Sequence, residues 1–160
     1  MGTTQPVAGS IDVLVVDNIS GQAKGVLDML QSGGLRGMSL VVSIPSEPEG
    51  REGLPPREID KLLSLINQYC PALVLVDVCL DDRAFETLDE KAGTWTGPAV
   101  MSEVRKGFPE QKLASYSAYA SYVESLDADI AEQRRAYGVD DTPHWSIDQI
   151  NASTVRKYIQ

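Results

Sequence analysis

Apolar residues along this chain come in short runs, and between the runs they recur every three or four positions. The first run, Ile11–Val16, reads I-D-V-L-V-V. It is short and β-branched, as expected of a strand covered on both faces, and it stops at Asp17-Asn18. A helical pattern follows, with Ile19, Ala23, Val26, Leu27 and Leu30 on one face and Gly33-Gly34 at its end,. Ser39–Ile44 predicts a second strand. Ile59, Leu62, Leu63 and Ile66 predict a second helix, with Pro56 suited to its first turn,. Ala72–Val76 predicts a third strand, running into Asp77. Gly97-Pro98 opens a third helix to about Lys106, with Met101 and Val104 inward and Phe108-Pro109 as its stop,. Lys112–Tyr116 predicts a fourth strand, ending at Ser117-Ala118. Val123, Leu126 and Ile130 share a face of a fourth helix that Gly138 closes. His144–Ile147 is a short fifth strand, and Ile150, Val155 and Ile159 fit a last helix.

Five β-α repeats predict an α/β domain, a parallel sheet with helices on both faces. Its span is 11–160, after a small, polar lead at 1–10 read as flexible and without a signal pattern,. Two segments are too long for ordinary connections: Pro45–Pro56, with four prolines and two glycines, and Leu80–Thr96, with five acidic residues,. No apolar run approaches the length of a membrane span, so a cytoplasmic location is expected, with no membrane partner. The formal net charge of -9 repels phosphate backbones and argues against direct nucleic-acid binding,. Cys70 and Cys79 are too few for a disulfide framework and are read as reduced, half-buried thiols,.

In doubly wound sheets, function gathers at the carboxyl ends of the strands. Asp17, Asn18, Asp77 and Ser117 all fall at such ends. One aspartate there would be read as a cap for the helix or turn that follows. Two on different strands of one sheet point to a site, since paired carboxylates can hold a cation such as Mg²⁺. Asp77, a lone carboxylate after an apolar strand, is the better nucleophile. There is no glycine-rich phosphate loop and no G-x-S-x-G elbow, which argues against a nucleotide-binding domain or a small hydrolase.

The segments V-L-V-V-D-N, P-A-L-V-L-V-D-V-C-L, V-R-K-G-F-P-E-Q-K-L-A-S-Y-S-A-Y and G-V-D-D resemble, in that order, the bacterial response-regulator receiver family. The resemblance runs over nearly the whole chain from Ile11 onward. It implies a flavodoxin-like (βα)5 fold with strand order 2-1-3-4-5. It implies a phosphoacceptor at Asp77, charged by a sensor histidine kinase or phosphotransfer protein, with Ser117 sensing the phosphoryl group. It implies Mg²⁺ held by Asp17, Asn18, Asp77 and the backbone carbonyl of Cys79. Such a domain supplies its own catalysis without being a turnover enzyme, and pairing with a second copy through the fourth and fifth helical faces is a further implied contact.

The chain also departs from the family. Asn18 stands where a second acidic residue is usual, and an amide brings no negative charge, so the cation is expected to bind more weakly. The family's lysine falls at Trp145 and its following proline at Ser146, while the aromatic position on the fifth strand falls at Thr142. His144 could partly replace the lysine's charge or be an ordinary loop or core histidine, and Asp81 or Asp82 could supply the missing acid. Arg134-Arg135 read as a solvated helix face, and Trp95 as a loop anchor. Two functions remain open: a phosphorylatable receiver, preferred because Asp77 lies in so well-matched a segment, and a pseudo-receiver that binds proteins or dimerises without phosphorylation.

Overall fold

Strands that are apolar on both sides must be covered on both faces, and alternation along each strand divides their side chains between two cores. The computed structural model describes residues 11–42, 56–78, 80, 97–117 and 124–160, with the side chains of 56–57 and 124–129 outside that description. The order is β1 (Val13–Asp17), α1 (Ser20–Ser32), β2 (Gly37–Val41), α2 (Pro56–Tyr69), β3 (Leu73–Asp77), α3 (Gly97–Gly107), β4 (Leu113–Ser117), α4 (Glu124–Ala136), β5 (His144–Ser146) and α5 (Ala152–Ile159). All strand pairs are parallel, and the sheet order is β2-β1-β3-β4-β5, as expected. The lead at 1–10, the loop at 43–55, Cys79, residues 81–96, with Asp81, Asp82 and Trp95, and residues 118–123, with Ala118 and Val123, lie outside the described residues, as does the Leu126 side chain.

On one face, Leu14, Val16, Val74 and Val76 pack with Leu62 and Ile66 of α2 and with Val100, Met101 and Val104 of α3. On the other, Val13, Val15, Leu73, Leu75, Ala114 and Tyr116 pack with Ala23, Val26 and Leu30 of α1 and with Val155 of α5. Burying each such side chain is worth roughly 1.5–3 kcal/mol, and this alternation locks strand register, since a one-residue slip would exchange the two cores.

Three strands run one residue further than the apolar runs predicted, to Asp17, Asp77 and Ser117. The sheet continues because the strand ends are still paired: Val42 N–H donates to the Asp17 carbonyl, Asp77 is in register with Tyr116, and Ser117 with Ser146. Strand β2 starts earlier than expected, at Gly37, which pairs with Val13. A Cβ at Gly37 would stand 2.7 Å from Leu27 Cδ1 and 3.0 Å from the Val13 carbonyl oxygen, so a side chain there would require Leu27 to shift.

Two surface readings are corrected. Arg134 does not lie on a solvated face. Its guanidinium turns back to the carbonyl and hydroxyl oxygens of Thr142 and to the Val139 carbonyl, clamping the turn after α4. Cys70 is exposed rather than half-buried, and it ends α2 in a left-handed conformation with φ 44°.

Candidate functional site

The strand order turns over at β1 and β3, and the residues ending these two strands are Asp17 and Asp77. Both are buried, at 0% and 4% exposure. They share the face of the sheet that α1 covers, because each follows by two a strand residue of that core, Val15 or Leu75,.

Their carboxylates meet on one nitrogen. Gln22 Nε2, in the first turn of α1, donates to Asp17 Oδ2 at 2.8 Å and to Asp77 Oδ2 at 3.0 Å. The chemistry dictates that orientation of the amide, since its oxygen cannot donate to a carboxylate. Asp17 Oδ1 accepts from the Ile19 backbone N–H at 3.0 Å, just ahead of the positive end of the α1 dipole. Asp17 therefore orders the turn that leads into α1 and shares a donor with Asp77.

A third donor comes from β4. Tyr116 is fully buried, and its hydroxyl donates to Asp17 Oδ2. Burial first, then the charges of Asp77 and Asp17, hold this phenol far above its ordinary pKa, so it remains a donor at any working pH. Neither Gln22 nor Tyr116 stands out in the sequence. A signal existed for the tyrosine: it alternates inward with Ala114, and a buried tyrosine hydroxyl needs a partner.

Ser117 ends β4 at the same rim, one residue past Tyr116, the register partner of Asp77. It is fully buried, and alternation turns its side chain to the opposite face from Tyr116. Asn18 follows Asp17 at the strand end, half-buried. The backbone at Asp77 is crowded by α3: Gly97 N–H donates to the Val78 carbonyl, and a Cβ on Gly97 would lie 2.4 Å from the Asp77 carbonyl oxygen. Only glycine lets the start of α3 settle against the end of β3.

The positions where the resemblance expects a lysine and a proline, and His144 beside them, lie on β5. Trp145 pairs with Tyr116 in the middle of β5, and its ring meets the edge of Tyr158 from α5, with centroids 6.0 Å apart. Ser146, the register partner of Ser117, gives its hydroxyl to Asp148 at 2.6 Å. His144 cannot replace a lysine. It hydrogen-bonds Ser115 Oγ through Nδ1 at 2.7 Å, and burial followed by the Arg134 charge lowers its pKa to about 4, which leaves the ring neutral near pH 7.

The donor set can be tested against the Mg²⁺ that the resemblance implies. A small hard cation wants oxygens at about 2.0–2.1 Å in octahedral array. The point where the two carboxylates converge instead holds an amide nitrogen at ordinary N–H···O distances, and the Asp17 oxygen facing it also accepts from Tyr116. Among the described residues, no three His, Cys, Asp or Glu side chains gather as metal ligands. Among the described residues the two carboxylates are met by neutral donors, an arrangement that does not fit the cation; Cys79, the further ligand the resemblance implies, lies outside them.

No family model matches the sequence, and no curated protein matches it. Solved structures do. The receiver domain of NtrX from Brucella abortus aligns with 92% of this chain and 93% of its own length, at 18% identity and a TM-score of 0.57. A CheY-like receiver domain protein from Methanospirillum hungatei aligns over 96% of this chain and 91% of its own, at 15% identity and a TM-score of 0.56. A response regulator from Burkholderia pseudomallei, solved with a phosphorylated aspartic acid, a calcium ion and citrate, aligns over 94% of this chain and 66% of its own, at 15% identity and a TM-score of 0.56. At these identities the likeness is one of fold.

Proposed function

Starting from a chain with the fold of response-regulator receiver domains, we propose a signalling module that acts by protein contact and without phosphorylation, a pseudo-receiver. The observation that carries this reading is the single Gln22 nitrogen shared by Asp17 and Asp77. Phosphoryl transfer to an aspartate relies on positioning and on positive charge at the transferring group. Among the described residues the carboxylates are met by an amide and, on Asp17, a phenol; Trp145 stands where the resemblance puts a lysine, and the neighbouring His144 is neutral. The partner is a protein, in keeping with the net charge of -9,. Among the described residues no helix is long and apolar enough to cross a membrane.

A second reading keeps Asp77 as a phosphoacceptor, served by a histidine kinase or phosphotransfer protein. It is favoured by the meeting of Asp77 with Asp17 at the rim where Ser117 also ends its strand. One experiment separates the two. The protein is incubated with a small acyl phosphate and Mg²⁺, and its intact mass is measured. The pseudo-receiver predicts no gain. A phosphoryl-sized gain that disappears in Asp77→Ala would replace it with the second reading.

A further inference from the structure

We infer that Gln22 and Tyr116 are the pocket's own substitute for a divalent cation, and that Gln22 is the residue deciding whether this pocket binds one. The inference rests on the reading of the pocket as phosphorylation-independent and deepens it by naming the side chains responsible.

Two buried carboxylates side by side repel each other, and the low local dielectric makes the repulsion costly unless donors or a cation offset it. A cation offsets it with charge. Among the described residues the offset is made with hydrogen bonds. The Gln22 amide spends one N–H on each acid, the Tyr116 hydroxyl adds a third bond on Asp17, and the Ile19 backbone N–H covers the other Asp17 oxygen. Bonds to ionised acceptors are the strong kind. The amide also stands where the carboxylates converge, so a cation could enter only by expelling it.

Exchanging the amide for a carboxylate should invert this arrangement. In Gln22→Glu a third acid takes the place of the shared donor, at the same length and attachment. Three carboxylate groups then face one point, the oxygen-rich set that Mg²⁺ or Ca²⁺ requires. The variant should depend on a cation for stability, because binding to the folded state alone raises the melting temperature by mass action.

The test is thermal melting of wild type and Gln22→Glu, each in chelator and with MgCl₂ or CaCl₂ added. Wild type should melt at the same temperature in all conditions. Gln22→Glu should melt below wild type in chelator and rise by several degrees with either cation. The inference is overturned if the cations raise the wild-type midpoint, or if Gln22→Glu melts like wild type in chelator and ignores them. Should Gln22→Glu give no folded protein under any condition, Gln22→Ala decides. It should melt below wild type in chelator and recover part of that loss with cation, and indifference to cation overturns the proposal. Melting is read independently of phosphoryl transfer. A mass gain on Asp77 would remove the functional reading, whereas a cation-indifferent Gln22→Glu would remove only this one.

Discussion

Tyr116 reaches past β3 to give its hydroxyl hydrogen to Asp17 on β1. The bond ties together two strands that are not neighbours, and it does so inside the core, where water cannot replace the lost donor. Tyr116→Phe keeps the ring that packs with Val13, Val15 and Val155 and removes only the hydroxyl. An acceptor left short of a partner in a buried site costs about 1–3 kcal/mol. Urea unfolding at pH 7 should show the stability falling by that amount, as a lower midpoint with an unchanged slope. A loss under about 0.5 kcal/mol would mean that Gln22 and Ile19 satisfy Asp17 unaided.

Two glycines make opposite predictions. The start of α3 rests against the end of β3 so closely that a Cβ at Gly97 would stand 2.4 Å from the Asp77 carbonyl oxygen and 2.5 Å from Val78 Cα. Both obstacles are backbone and cannot swing aside, so Gly97→Ala should cost roughly 1–3 kcal/mol by overpacking and disturb the backbone at Asp77. Gly25 lies in the interior of α1, with nothing within 4 Å of a Cβ built there. Gly25→Ala should stabilise by about 0.5–1 kcal/mol through helix propensity alone. Chemical denaturation of the two variants side by side checks both signs.

The sheet was legible in the sequence because its strands are apolar on both sides and its helices on one. Ile59, Leu62, Leu63 and Ile66 foretell α2, and Val13 to Val16 foretell β1, since burial itself writes those patterns. Asp17 and Asp77 were legible as a pair for the same reason: each ends an apolar run that must be a strand of one sheet. What closes the pocket was not legible. Gln22 is a polar residue in a first helical turn, and nothing in its neighbours announces that it faces inward. Tyr116 reads as one more apolar strand residue until the strand order is known, and only β3 lying between β4 and β1 carries its hydroxyl to Asp17. The role of Arg134 was hidden likewise, because the pattern of α4 says nothing of the turn its side chain folds back to clamp.

The final prediction concerns acid sensitivity. His144 is the only histidine in the chain. It pairs with Ser115, its Nε2 is buried without a partner, and burial together with the Arg134 charge lowers its pKa from 6.5 to about 4. The unfolded chain therefore takes up this proton near pH 6.5, while the folded protein refuses it until about pH 4. Between those values the unfolded state binds more protons, so stability is fully present above pH 6.5 and falls as pH drops towards 4, by at most about 1.4 kcal/mol per pH unit from this group. Carboxylates also titrate in the lower part of the window, so the measurement is the difference between wild type and His144→Asn, whose amide can keep the bond to Ser115. The wild type should lose more stability than the variant between pH 7 and 5, and parallel curves would refute the assignment. Arg134→Met removes the second cause while leaving burial in place. The titration of the single imidazole, followed by NMR, should then move up from about 4 towards its ordinary value, and acid sensitivity between pH 7 and 5 should shrink with it.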